Sequence, residues 1–168
     1  MTTNAEDTLV LETTKGPVTI AMRPDLAPKH VARIKELVGQ GFYDGIAFHR
    51  VIEGFMAQTG CPHGTGTGGS GQKLKAEFSR EKHLRGTVSM ARAQDPNSGD
   101  SQFFICLADA SWLDGQYTVW GEVTAGLENV DQIKRGEPVV NPDRIVTARM
   151  ATLRPDAASD RIRQIQFY

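Results

Sequence analysis

The sequence contains little cysteine, no long apolar run and no excess of charge of either sign. Its two cysteines, Cys61 and Cys106, are too few for a disulfide framework and fit a reducing compartment. No apolar stretch approaches the roughly 20 residues that a membrane-spanning helix needs. The 19 Lys and Arg residues are balanced by 20 Asp and Glu residues, which gives no reason to expect a nucleic-acid or membrane partner. The polar, acidic start of the chain lacks the apolar core of a signal peptide, so we expect a cytoplasmic protein.

Short stretches of alternating or β-branched residues recur along the chain, separated by turn residues. They predict strands at residues 8–14, 18–22, 46–50, 55–59, 87–91, 102–107, 117–123 and 145–153. Apolar residues at helical spacing predict one helix that begins near an Asp25 N-cap and ends at Gly39, and a short second helix over residues 127–133. The lack of regular strand–helix alternation disfavours a doubly wound sheet. We predict one mainly β domain over residues 1–168, a closed antiparallel barrel with helices covering its ends.

The most informative segment spans residues 48–60. Alternate residues of a strand share a face, so Phe48, Arg50 and Ile52 are expected on one side. Apolar neighbours lower the local dielectric and strengthen the field of the Arg50 guanidinium. By itself the pattern fits a surface arginine on an edge strand better than a catalytic one, and both interpretations stay open.

Two later segments carry aromatic residues. Phe103 and Phe104 are expected to point to opposite faces of a strand, so only one of them can line a pocket. Trp112 and Leu113 precede an Asp-Gly turn, where apolar side chains either face the mouth of a pocket or plug the end of a barrel. Ordinary core packing is the alternative for all of these residues.

Three other patterns give weak signals. Residues 64–69 match a G-x-G-x-x-G spacing, but no clear helix start follows, so nucleotide binding is disfavoured. Cys61, His63 and His49 lack the ligand spacing of a metal site. A serine-hydrolase interpretation lacks the G-x-S-x-G nucleophile motif. We therefore expect no cofactor and no metal.

The chain resembles the cyclophilin family through five segments that occur in the family's order: FHRVIEGFMAQTG, GTGTGG, GTVSMARA, SQFFI and WLDGQYTVWGEV. The resemblance covers residues 8–153 and leaves residues 154–168 as a C-terminal tail. It implies a closed eight-stranded antiparallel β-barrel capped by two α-helices, and peptidyl-prolyl cis/trans isomerase activity. The implied partners are proline-containing peptides, unfolded or folding proteins, and cyclosporin; we expect a monomer.

The resemblance also implies roles for individual residues. Arg50 matches the family's catalytic arginine, and Gln58 acts with it on the substrate backbone. The substrate-binding positions are Phe55, Met56, Ala91, Arg92, Gln102, Phe104, Trp112, Leu113 and Tyr117. Arg92 and Tyr117 replace the asparagine and histidine of the best-known eukaryotic members and resemble bacterial ones.

A chemical hypothesis follows for Arg50. Rotation about a peptide bond faces a barrier of roughly 18–20 kcal/mol from amide resonance. A fixed donor aimed at the nitrogen of the twisted amide stabilises that form over the planar one, and we expect Arg50 to have pocket walls rather than acids or bases as partners. Two rivals remain: a module that binds proline segments with little turnover, and a carrier barrel with an open interior.

Overall fold

Eight antiparallel strands form one sheet in the computed structural model, which describes residues 5–151. The strands are β1 (Thr8–Thr13), β2 (Gly16–Met22), β3 (Arg50–Ile52), β4 (Met56–Thr59), β5 (Thr87–Met90), β6 (Phe103–Cys106), β7 (Val119–Ala125) and β8 (Ile145–Met150). Their order in the sheet is β3-β4-β6-β5-β7-β2-β1-β8. Two α-helices, α1 (Pro28–Gly39) and α2 (Leu127–Val130), accompany the sheet. The end of the last expected strand, residues 152–153, and the C-terminal tail lie outside the described residues.

The sheet is curled into an open half-barrel, so the expectation of a closed barrel was wrong. Its two end strands, β3 and β8, share no ladder within residues 5–151. The segment before β3 meets the other end of the sheet through one isolated bridge, between Ala47 and Arg144, and through Gly45 N, which donates to Ile145 O at 2.7 Å. The outer edge of β3 is instead taken by a loop, because Val51 pairs with Gly136. A three-residue strand whose free edge is already occupied cannot complete a barrel.

Strand β3 begins at Arg50, later than the expected strand over residues 46–50. Phe48 lies before the strand and is fully buried in the main core, away from the face that carries Arg50. The expected shared face of Phe48 and Arg50 was therefore wrong, because alternation holds only within regular strand.

Helix α1 has Ala27 at its N-cap position, with no side-chain cap from that residue. The carboxylate of Glu77 accepts the backbone N–H groups of Lys29 (3.1 Å) and His30 (2.9 Å) instead. The expected cap, Asp25, is paired with Arg23 at 2.9 Å. An acid that is distant in sequence thus accepts the free N–H groups of the first turn. Its negative charge interacts favourably with the partial positive charge of the helix N-terminus.

Two hydrophobic cores lie on opposite faces of the strands β4 and β6. The larger core fills the inside of the curled sheet, and its largest fully buried side chains include Trp120, Phe48 and Phe103. A filled interior disfavours the carrier-barrel alternative. The smaller core, on the outer face, contains Met56, Phe104, Cys106, Ala110 and Leu113. No helix in residues 5–151 is long and apolar enough to cross a membrane.

Candidate active site

The β3–β4 hairpin places Arg50 and Gln58 side by side. Its antiparallel register pairs Arg50 with Gln58 and Ile52 with Met56. Residues directly opposite each other in a ladder share a face, so all four side chains point to the outer side of the sheet. Val51 and Ala57, the intervening pair, are buried in the main core.

A pocket of about 130 Å³ lies on this outer face. It is lined by Arg50, Phe55, Met56, Gln58, Ala91, Arg92, Phe104, Leu113 and Tyr117. These are all of the residues expected from the sequence except Gln102 and Trp112. Gln102 lines an adjoining pocket of about 320 Å³. The ring of Trp112 is exposed and tilted against Phe55, with the ring centroids 5.6 Å apart.

The pocket has an apolar floor. Met56, Phe104 and Leu113 are buried, with exposed fractions of 2%, 5% and 7%. The rings of Phe104 and Tyr117 meet edge to face at 5.8 Å, a favourable arrangement for aromatic rings. One polar wall, formed by Arg50 and Gln58, faces this floor. The arrangement suits a small apolar ring that carries a polar bond at its edge.

Arg50 is held by an acid and an amide. Its Nε donates to Glu137 Oε2 at 2.9 Å, and its Nη1 donates to Gln58 Oε1 at 3.3 Å. The side chain is 40% exposed, so it stands at the rim and not in a dry interior. The expectation that Arg50 has only pocket walls as partners was wrong. Sequence patterns gave no signal for Glu137, which is 87 residues away along the chain.

A chain of amide hydrogen bonds continues from Arg50 across the sheet. Gln58 Nε2 donates to Gln102 Oε1 at 2.9 Å. Gln102 Nε2 in turn donates to the carbonyl oxygens of Gly66 (2.9 Å) and Gly68 (3.0 Å). The glycine-rich loop is therefore tied to the polar wall of the pocket, and each donor in the chain has a fixed direction.

Arg92 covers the other side of the pocket. Its guanidinium carbon lies 4.5 Å from the centre of the Tyr117 ring, within cation–π range. Its N–H groups donate to the backbone carbonyls of Ala93, Gln94 and Gln116. The two residues that depart from the eukaryotic pattern thus contact each other.

Behind the aromatic wall lies His83, which sequence patterns did not single out. Its ring stacks on Phe104 with centroids 6.2 Å apart. Its Nδ1 lies 3.1 Å from Asp114 Oδ1, and its Nε2 lies 2.9 Å from Ser89 Oγ. Burial lowers the pKa of His83, against the opposing hydrogen bond and negative charge of Asp114. The residue is too buried to touch a ligand, and it supports the wall.

The other polar side chains near the site form no metal centre. Among residues 5–151, no group of three or more His, Cys, Asp and Glu side chains is placed to hold a metal ion. Cys61 Sγ accepts the backbone N–H groups of Gly66 (3.3 Å) and Gly68 (3.2 Å). Burial, together with the positive charge of Arg50, lowers the pKa of His49.

Known proteins with similar sequences share one activity. Residues 8–150 match the model of the family described as cyclophilin type peptidyl-prolyl cis-trans isomerase/CLD. A probable peptidyl-prolyl cis-trans isomerase from Brucella suis is 52% identical over 160 residues, covering 85% of this chain and 82% of that protein. A peptidyl-prolyl cis-trans isomerase from Synechococcus elongatus is 46% identical over 143 residues, covering 85% and 95%.

Solved structures of cyclophilins share the fold of this chain. A cyclophilin from Hirschia baltica superimposes with a TM-score of 0.85 at 31% identity, covering 93% of this chain and 78% of that one. A cyclophilin-type isomerase from Cryptosporidium parvum, solved in the presence of the dipeptide Ala-Pro, superimposes with a TM-score of 0.79 at 28% identity, covering 85% and 98%.

Proposed function

This chain belongs to the cyclophilin-type peptidyl-prolyl cis-trans isomerases, and we propose that Arg50 carries the reaction by stabilising the twisted X-Pro amide over the apolar pocket. The observation that carries the proposal is the guanidinium of Arg50 at the edge of a pocket whose floor is Met56, Phe104 and Leu113. Gln58, on the same wall, accepts a hydrogen bond from the guanidinium and would contact the substrate backbone beside it.

The chemistry needs no nucleophile. When the amide twists, resonance is lost, and the nitrogen becomes pyramidal and gains a basic lone pair. A guanidinium remains charged and can donate to that nitrogen without transferring a proton. This interaction exists only in the twisted form, so it lowers the barrier instead of merely strengthening binding. Comparable single donors contribute about 2.7–4 kcal/mol.

The apolar floor supplies a second contribution. Removing water from the amide disfavours the planar form more than the twisted form, because the planar form has the larger separation of charge. Met56, Phe104 and Leu113 would hold the proline ring while the other side of the bond rotates. Phe55 lines the pocket beside them, and Trp112, whose ring packs against Phe55, extends this surface beyond the pocket.

The proposed substrates are proline-containing peptides and folding proteins. The Cryptosporidium parvum relative was solved in the presence of Ala-Pro, which supports a proline-sized occupant for the pocket of this chain. The backbone of Ala91, on the opposite wall, and Gln102, in the adjoining pocket, would contact the peptide on either side of the proline. Cyclosporin would cover the same surface and contact Trp112, Arg92 and Tyr117.

The test is the activity of Arg50→Ala in a protease-coupled assay on an Ala-Pro-Phe peptide. We expect kcat/KM to fall by about 10²–10³ with the thermal unfolding curve unchanged. Arg149→Ala is the matched control, because Arg149 is also an exposed arginine paired with an acid, Glu12 at 3.8 Å, on a distant strand. Near wild-type turnover in Arg50→Ala would exclude the proposed mechanism. A wild-type protein that binds the peptide without turnover would instead favour the binding-module alternative.

A further inference from the structure

We infer that Glu137 is a positioning residue for the isomerase reaction, which acts by fixing the orientation of the Arg50 guanidinium. The inference rests on the proposed role of Arg50. It assigns a function to an acid that lies outside the pocket and does not line it. Three features support this role: the backbone hydrogen bonds around Glu137, the geometry of its contact with Arg50, and the exposure of the two side chains.

The backbone on both sides of Glu137 is fastened to strand β3. Gly136 N donates to Val51 O, and Val51 N donates to Gly136 O, both at 2.8 Å. Two residues further on from Glu137, Val139 N donates to His49 O at 3.0 Å. These bonds go to the residues on either side of Arg50, so the backbone of Glu137 is held directly beside it. The fold therefore keeps the side chain of Glu137 within reach of Arg50.

The loop folds back on itself at position 136 so tightly that only glycine fits there. A Cβ atom on Gly136 would lie 2.8 Å from the carbonyl oxygen of Pro138 and 2.8 Å from the Cα atom of Val139. The same segment is tied to the β3–β4 turn, where Arg135 Nε donates to Glu53 Oε1 at 2.8 Å. The loop before β8 is thus shaped and anchored where it carries Glu137.

The guanidinium of Arg50 is held from two directions. Nε donates to Glu137 Oε2 at 2.9 Å, and Nη1 donates to Gln58 Oε1 at 3.3 Å. Hydrogen bonds at Nε and at one terminal nitrogen restrain a planar guanidinium against rotation about its stem. Among the described residues Nη2 has no hydrogen-bond partner, so its two N–H groups remain for the substrate.

Stability cannot be the main role of this pair. The side chains of Arg50 and Glu137 are 40% and 58% exposed, and exposed ion pairs contribute little to folding. The charge of Glu137 also weakens the positive field that the reaction uses. The advantage is orientation, because small displacements of a catalytic group cause large losses in rate.

The experiment compares Glu137→Ala, which removes the acceptor, with Glu137→Gln, which keeps an oxygen for Nε but removes the charge. We expect Glu137→Ala to lower kcat about tenfold with KM within about twofold, and Glu137→Gln to restore most of the loss. In the ¹⁵N spectrum, we expect the Arg50 Nε–H resonance to lose its protection from exchange with solvent in the alanine variant. Asp25→Ala is the matched control, because Asp25 also accepts an arginine Nε–H, from Arg23 at 3.0 Å, and neither residue belongs to the loop that carries Glu137. It should leave kcat unchanged.

A double variant separates this inference from the proposed function. If Glu137 acts through Arg50, Glu137→Ala changes nothing further in an Arg50→Ala background. A loss that persists there, or a kcat of Glu137→Ala within about twofold of wild type, overturns the inference while the proposed role of Arg50 stands. An active Arg50→Ala variant overturns the proposed function itself.

Discussion

Phe103 and Phe104 are consecutive residues of strand β6, yet their rings belong to two separate hydrophobic cores. Phe103 packs inside the curled sheet, edge to face against Tyr43 (5.6 Å) and Trp120 (5.2 Å). Phe104 packs on the outer face and forms part of the pocket wall. The sequence-based expectation that only one of them joins a pocket is confirmed. We therefore expect Phe103 to contribute mainly to stability and Phe104 mainly to activity.

This separation predicts that alanine at position 103 mainly lowers stability, whereas alanine at position 104 mainly lowers activity. Phe103→Ala should lower the free energy of unfolding by about 3–5 kcal/mol, because it leaves a cavity in the main core. Phe104→Ala should cost less stability, because the space that it leaves opens to the pocket, but should lower kcat/KM at least about tenfold. Urea unfolding and the isomerase assay, with activity expressed per folded molecule, measure both effects.

The leucine variants at the two positions serve as milder controls if an alanine variant does not fold. Equal losses of activity for the substitutions at Phe103 and Phe104, once corrected for folding, would contradict the separation of the two cores.

Gln102 gives a second prediction, about the glycine-rich loop. Gln102→Glu is isosteric, but it replaces the donor that binds the Gly66 and Gly68 carbonyls with an oxygen that repels them. The acceptor for Gln58 is retained. We expect faster amide hydrogen exchange across the loop and a fall in kcat/KM of about tenfold. Unchanged exchange in the loop, measured by mass spectrometry, would show that this tether does not order it.

His83 gives a third prediction, about a tautomer. Because burial lowers its pKa, the ring is neutral at pH 7, and only one nitrogen carries a proton. The Asp114 carboxylate accepts from Nδ1, so Nε2 must accept from the Ser89 hydroxyl. The Ser89 hydroxyl has a second possible acceptor, the Thr118 carbonyl oxygen at 3.0 Å. That oxygen already accepts the Met90 N–H at 2.9 Å and therefore does not need the hydroxyl proton. We expect ¹⁵N NMR to show the Nδ1–H tautomer.

The pH dependence of the same ring follows from its lowered pKa. His83 takes up its proton more readily in the unfolded chain, so its contribution to stability is complete above the ordinary pKa of 6.5 and is lost as pH falls through its folded pKa. In Asp114→Asn the folded pKa should fall further, because the charge that raises it is gone. A wild-type folded-state pKa above 6.5, from NMR titration of the ring, would contradict the expected loss of stability at low pH, and an unchanged pKa in Asp114→Asn would contradict the role of Asp114.

The sequence predicted those parts of the molecule that depend on local pattern. Alternation placed Arg50 and Ile52 on one face, and the ordered motifs identified the residues of the pocket. Features set by contacts between distant segments were not predicted. The open edge of the sheet results from the pairing of Val51 with Gly136, and the cap of α1 comes from Glu77. Neither leaves a periodic signal, because each depends on where a loop crosses another element.

Glu137 is the clearest case of this limit. Nothing in the spacing or composition of the sequence relates it to Arg50, and the family motifs do not include it. Its position depends on backbone hydrogen bonds between the loop and β3, which appear only when the chain is folded. Sequence patterns do not predict such contacts, because the two residues are far apart along the chain and meet only through the fold.

Cys61 gives the last prediction, about stability and pH. Burial raises the pKa of its thiol, but backbone N–H groups of Gly68, Thr65, Gly66 and His63 outweigh this and lower it from the ordinary 9.0 to about 6. The folded protein therefore releases this proton at a lower pH than the unfolded chain. Between pH 6 and pH 9 the unfolded state holds more protons, so stability should rise with pH, by at most about 1.4 kcal/mol per pH unit.

Two cysteine variants make this prediction specific. In Cys61→Ala the rise between pH 7 and pH 8, above the range in which His83 titrates, should disappear, because the group that releases the proton is absent. Cys106 is the matched control: burial raises its pKa to about 12, so neither its folded nor its unfolded thiol ionises appreciably in that range, and Cys106→Ala should keep the wild-type slope. Urea unfolding at pH 6, 7 and 8 under reducing conditions measures the slopes. Parallel curves for wild type and Cys61→Ala would show that the backbone N–H groups of the loop do not stabilise a thiolate.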